Sequence, residues 1–176
     1  IFHILLFNNP KTYAGPWESH IMTKVEGISG LTRTFRESLA DVPDGSPVLF
    51  LGSEAVCSPF AQLLAYAVRD RRMTFAFSPK ARWDHCRRLE WIEGAGYQIG
   101  QETFNPEEAR AVVVLGGLAM PKFGCPVEDV KRFIGLIPGE PKVVGLGFMD
   151  ILRRSGWDKE VRMDVLIDAY MSAETL

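Results

Sequence analysis

Apolar positions along this chain fall into short continuous runs, separated by stretches where they recur every third or fourth residue. That alternation predicts buried strands interleaved with amphipathic helices. Pro47-Val48-Leu49-Phe50-Leu51-Gly52 is a continuous apolar run closed by glycine, as expected of a strand covered on both faces. Ser58 then reads as a helix N-cap with Pro59 at the first helical position, and Phe60, Leu63, Leu64, Ala67 and Val68 share one face. Upstream, Ile28, Leu31, Phe35 and Leu39 mark an earlier amphipathic helix. Residues 73–77 predict the next strand, closed by Ser78-Pro79. From about 82 to 93, Trp83, Cys86, Leu89 and Ile92 recur at helical spacing, which predicts a helix stopped by Gly94 and Gly96. Residues 97–99 form a weaker strand, and Asn105-Pro106-Glu107-Glu108 carries a cap, a proline and dipole-facing acids for a short helical turn.

Ala111-Val112-Val113-Val114-Leu115-Gly116-Gly117 is the clearest strand signal. A helix over 126–136 follows, with Val127, Val130, Phe133 and Ile134 facing inward. Lys142-Val143-Val144-Gly145-Leu146-Gly147 is another strand, with a short helix through Ile151 and Leu152 to Gly156. In the last segment Val161, Met163, Val165 and Ile167 alternate with Arg162, Asp164 and Asp168. Alternation predicts a strand with one wet face, placed at a sheet edge. Elements of these lengths in this order imply right-handed crossovers and a three-layer α/β/α sandwich. Its sheet is a mostly parallel, Rossmann-like or flavodoxin-like open sheet.

The chain has 176 residues, which suits one domain, and its 47% hydrophobic content is enough to bury a core without disulfides. Residues 2–7 form an apolar run too short for a signal peptide with its cleavage site. Because Met22 precedes a well-patterned segment, residues 1–21 are expected to be an extension outside the core fold, with the domain spanning 22–176. No run is long enough to cross a bilayer. Lys+Arg 20 against Asp+Glu 22 gives a net charge of −2, which argues against a nucleic-acid partner. Cys57, Cys86 and Cys125 are odd in number and widely spaced, so neither a disulfide scaffold nor a zinc module is expected, and reduced thiols in a cytoplasm fit better.

Candidate chemistry is placed by architecture. In an open parallel sheet, ligands bind beyond the carboxyl ends of the strands, where strand order reverses. Three loops qualify: residues 52–58, 116–125 and 147–150. The first contributes Ser53, Glu54, Cys57 and Ser58, where a strand leads into a capped helix whose N–H groups favour an anion. The sequence there is neither GxGxxG nor a P-loop, and Glu54 opposes an anion. The second loop contributes Gly116, Gly117, Lys122 and Cys125, with Lys122 a contact for a ligand carboxylate or phosphate and Cys125 a candidate N-cap.

Cys57 and Cys125 both precede a predicted helix, where a thiol pKa falls and nucleophilicity rises, making them the catalytic candidates; the alternative is that each simply packs. Of His3, His20 and His85, only His85 lies in the expected core fold, among Arg82, Arg87 and Arg88. There is no GxSxG elbow, no metal-ligand spacing and no fingerprint that names a cofactor.

The stretch from Gly52 through Cys57-Ser58-Pro59-Phe60 to Asp70, together with Val113-Val114-Leu115-Gly116-Gly117-Leu118-Ala119-Met120-Pro121, resembles an uncharacterised family of methanogenic archaea known as a domain of unknown function. The resemblance covers most of the chain after Met22 and implies an archaeal cytoplasmic protein, with no activity, cofactor or catalytic residue attached. Three functions stay open, in this order: a small-molecule binding protein using the strand-end loops, a cysteine-dependent enzyme, and a homo-oligomer pairing through its edge strand at 161–167.

Overall fold

The structure, a computed structural model, describes residues 4–8, 25, 27–171 and 175. Its centre is an eight-stranded sheet: β1 (Ile4–Asn8), β2 (Pro47–Gly52), β3 (Thr74–Pro79), β4 (Arg87–Ile92), β5 (Gly96–Thr103), β6 (Ala111–Leu115), β7 (Lys142–Phe148) and β8 (Val165–Ala169). The spatial order is β1-β8-β7-β6-β2-β3-β4-β5. The five strands from β8 to β3 run parallel, and β1, β4 and β5 extend the sheet antiparallel at its two ends. In chain order the parallel strands lie second-first-third-fourth-fifth, the flavodoxin-like arrangement. Strand order therefore reverses between β2 and β6.

Helices cover both faces. Helices α1 (Gly27–Ser38) and α2 (Ser58–Ala67) bury Leu31, Phe35, Leu64 and Ala65 against Val48, Phe50, Phe75 and Val113 on one face. On the other, α3 (Val127–Gly135), α4 (Ile151–Arg154) and α5 (Trp157–Glu160) bring Val130, Phe133, Leu152 and Trp157 onto Leu49, Leu51, Val112 and Val114. Adjacent residues of one strand thus serve opposite cores, which is why β2 and β6 read as unbroken apolar runs.

Three expectations are corrected. Residues 82–93 are not a helix: a single 3₁₀ turn at Trp83–His85 is followed by β4, and Gly94 and Gly96, at φ +78° and +80°, shape the turn into β5. The three-residue spacing of Trp83, Cys86, Leu89 and Ile92 mimics a helix, whereas Leu89 and Trp91 pair across the hairpin with Ile99 and Tyr97. The strand expected at 161–167 with one wet face is β8, buried at all five positions. It is parallel to β7 on one side and antiparallel to β1 on the other, so its edge is already occupied. Finally, Ile4–Asn8, inside the segment expected to lie outside the core fold, pairs with β8 over five residues. His3 and His20 lie outside the described residues.

Candidate functional site

The carboxyl ends of β2, β6 and β7 open onto a pocket of about 320 Å³. Each of the three strand-end loops contributes. The β2 loop and the start of α2 supply Val56, Cys57 and Phe60; the β6 end supplies Leu115, Gly116, Gly117 and Met120; the β7 end and α4 supply Leu146, Phe148, Met149, Ile151 and Arg154. The Phe60 and Phe148 rings, 4.7 Å apart at an angle of 45°, form one wall. Arg154 is the one charged side chain among the described residues lining it.

Glycines set the floor. A Cβ on Gly116 would stand 2.6 Å from Ile151 Cγ2 and 2.9 Å from the Gly147 Cα, so the ends of β6 and β7 approach more closely than side chains permit. A Cβ on Gly117 would run into Cys57 Sγ and stand 3.4 Å from Ser53 Oγ. Two of the pocket's loops hold an unusual backbone state: Ala55 after β2, and Met149 and Asp150 after β7, all have positive φ. Such strain persists where surrounding structure enforces it, and it gathers at binding loops.

One buried carboxylate braces the β7 end. Asp168, read from the sequence as a wet-face residue, is 3% exposed. Its Oδ1 accepts a hydrogen bond from the Asp150 backbone N–H at 2.9 Å, beside the left-handed pair Met149-Asp150. Burial pushes the Asp168 carboxyl above its usual range, partly offset by the Asp150 N–H and the Tyr170 hydroxyl. A raised folded-state pKa means that this carboxyl favours folding most at low pH, below about 3.9, and that the benefit is lost as pH rises through the folded value. Asp168→Asn, which keeps the acceptor without the charge, is expected to hold or raise the neutral-pH melting temperature and to flatten stability against pH above about pH 4. Asp168→Ala, which strands the Asp150 N–H, is expected to cost about 1.5 kcal/mol in the same denaturation series.

Of the residues expected to bind a ligand, Cys57, Gly116 and Gly117 line the pocket, with Ser53 buried against them. Glu54 and Lys122 are exposed, and neither lines it, nor does Ser58. Two caps differ from expectation. Cys57, not Ser58, occupies the N-cap of α2, without a side-chain cap hydrogen bond, and Pro126, not Cys125, occupies that of α3. Asp150 takes the N-cap of α4 with no side-chain cap of its own.

The thiols do not meet in one cleft. Cys57 belongs to the core on the α2 face, whereas Cys125 packs with Trp157 and Leu118 on the opposite face, beside a separate hollow. Burial pushes the Cys57 thiol up, against partial offsets from Ser53 and Gly117. Burial and then Asp129 raise Cys125 to about 11, and burial raises Cys86 to about 11. Desolvation here outweighs any thiolate stabilisation at a helix start. Alkylation by iodoacetamide is therefore expected to be slow at neutral pH and to accelerate only in the alkaline range; a rate that titrates at or below the ordinary thiol value of about 8.5 would overturn this. His85 Nδ1 lies 2.8 Å from Asp84 Oδ1 on the 3₁₀ turn before β4, away from the pocket.

Met120, Phe148 and Met149 fall inside the loops marked from sequence without being named as ligand residues; Arg154 lies outside them, and Phe60 read as part of the α2 core stripe. The signal for Met120, Phe148 and Met149 is large apolar side chains in strand-end loops, where polar turn residues are usual. Among the described residues no group of three His, Cys, Asp or Glu side chains is arranged to hold a metal, and no helix is long and apolar enough to cross a membrane.

A family model for an uncharacterized protein conserved in archaea, DUF2124, matches residues 26–172. An uncharacterized protein of Methanocaldococcus jannaschii is 36% identical over 151 residues, 86% of this chain and 90% of that one. Another, from Methanothermobacter thermautotrophicus, is 36% identical over 156 residues, 88% of this chain and 97% of its own. The crystal structure of a protein of unknown function from Methanothermobacter thermautotrophicus superposes with a TM-score of 0.79 at 34% identity, covering 92% of this chain and 99% of that chain. The loops that carry Cys57 and Gly116 lie inside the matched span, and the chain belongs to this archaeal DUF2124 family.

Proposed function

We propose that this protein binds a small, mostly apolar molecule bearing one anionic group, seated in the pocket at the carboxyl ends of β2, β6 and β7. The observation that carries the reading is an apolar, glycine-floored pocket at the point of strand-order reversal, with Arg154 as its charged lining residue. Ligand sites in open α/β sheets lie at this point, and they combine an apolar lining with few polar anchors. A volume of about 320 Å³ is at the small end of the usual range of about 300–1,000 Å³, which suits a metabolite rather than a dinucleotide. The anion belongs at Arg154 rather than at the start of α2, where Pro59 removes one N–H and the buried Cys57 thiol fills the N-cap.

Matched pairs of aryl and alkyl carboxylates and their neutral alcohols test this by thermal shift. A ligand at one hundred times its Kd stabilises by about 2.7 kcal/mol. The carboxylates are expected to shift the melting temperature more than the alcohols, and Val56→Trp, which fills the pocket, is expected to abolish both shifts. Shifts that survive Val56→Trp, or none from any member, would sink the reading.

A further inference from the structure

We propose that the outer edge of β5 pairs antiparallel with β5 of a second copy, joining two sheets into one across a two-fold axis at Ile99. Strand β5 is the last in the sheet order, and no strand pairs with its outer side among the described residues. It is eight residues long, Gly-Tyr-Gln-Ile-Gly-Gln-Glu-Thr, without lysine, arginine or proline; its one charge, Glu102, and the register shift against Arg87–Leu89 lie toward its carboxyl end, which leaves 96–100 open to pairing. At the opposite end of the sheet, β1 leads into residues outside those described.

The occupant is identified by self-complementarity. Tyr97 and Ile99 are half-buried on the face that carries α2, and they continue an apolar strip through Trp91 and Tyr66, which are 50% and 44% exposed. Trp91 stacks on Tyr66 at 6.1 Å and meets Tyr97 edge-on at 5.3 Å. A two-fold axis normal to the sheet keeps this strip on one side in both copies and merges the two. It pairs one residue with its own copy, and of the eight positions Ile99 and Gly100, at the middle of the strand, give the longest overlap.

Charge decides between the two. The Glu90 carboxylate lies across Gly100, in the place a Cβ would take, and makes no ion pair or hydrogen bond with another described residue. Pairing Gly100 with itself would set two such carboxylates side by side, and like charges directly opposed are destabilising. Pairing Ile99 with itself sets Gln98 of each copy opposite Gly100 of the other, where its carboxamide N–H₂ reaches Glu90. Gln98 now makes one long bond, to the Ala95 carbonyl at 3.3 Å. In the same register Glu102 faces Gly96, so no acid opposes another.

Sedimentation velocity of the full chain across a concentration series reads the association directly, with Gln98→Glu and Gln98→Lys as a pair of opposite sign. Gln98 is partly exposed at the edge, and both variants are expected to melt like the wild type at high dilution. The wild type is expected to dimerise. Gln98→Glu should weaken the dimer at least tenfold, because the symmetry creates two repulsions, and Gln98→Lys should match or tighten it. A wild type that stays monomeric throughout, or a dimer that both variants change equally or not at all, would overturn the proposal.

Discussion

Gly116→Ala is expected to lower the unfolding free energy by about 3 kcal/mol, the upper end of what overpacking costs in a closed site. The reason is the identity of what the new methyl meets. One contact, Ile151 Cγ2 at 2.6 Å, is a side chain that can turn aside. The other is the Gly147 Cα at 2.9 Å, backbone of the neighbouring parallel strand, and it cannot move unless β6 and β7 separate at their carboxyl ends. Gly135→Ala is the matched control, because nothing lies within 4 Å of a Cβ there and the position is in α3. It is expected to stabilise by about 0.5 kcal/mol, through helix propensity and a less flexible unfolded chain. Urea denaturation of both variants should show midpoints moving in opposite directions at unchanged m. A Gly116→Ala midpoint within error of wild type would mean that the strand ends are looser than the structure has them. The pocket floor would then be less fixed than the binding proposal needs.

The sheet was legible wherever a residue's environment is written in its own neighbourhood. Leu49 and Phe50 serve opposite cores, so the run around them is apolar without a break, and β2, β6 and β7 were readable from that alone. The hairpin of β4 and β5 was not. Trp83, Cys86, Leu89 and Ile92 keep a three-residue spacing, and what makes 87–92 a strand is pairing with Tyr97 and Ile99, a contact that local periodicity does not encode. The same limit applies to β8. Its alternation predicts a wet face, but Asp168 is buried, because its carboxylate is used by the Asp150 N–H across the loop.

Of the candidate pocket, the strand-end loops were legible and most of the side chains that line it were not. The loops at Cys57 and Gly117 follow from the alternation of strands and helices, whereas the reversal between β2 and β6 is a matter of strand order, which chain order does not fix. A helix start is a visible signal in sequence, and at α2 it leaves an anion site open against a tight structural turn. Arg154 comes from the far side, through a β7–α4 turn whose two left-handed residues, Met149 and Asp150, are not glycines and so give no warning.

Arg154 is therefore where a single substitution should change ligand preference most. It is exposed at the pocket's edge, so its attraction for an anion is screened and is worth about 1 kcal/mol rather than the larger figure for a buried charge-assisted bond. Arg154→Ala should thus weaken binding of a pocket-sized carboxylate about fivefold, and Arg154→Glu, which adds repulsion, by about 2 kcal/mol or roughly thirtyfold. The neutral alcohol of the same shape should bind all three proteins alike, since its contacts are with Phe60, Met120 and Phe148. Calorimetric titration at two salt concentrations separates the parts. The carboxylate's advantage over the alcohol should shrink as salt rises in the wild type and be absent in Arg154→Ala, whereas the apolar share should not move. If Arg154→Glu weakens the alcohol as much as the carboxylate, the arginine shapes the pocket instead of reading charge, and the ligand is a neutral apolar molecule. If neither ligand binds wild type while Gly116→Ala still destabilises, the glycine floor is a packing device of the β6–β7 junction, and the binding role is lost with it.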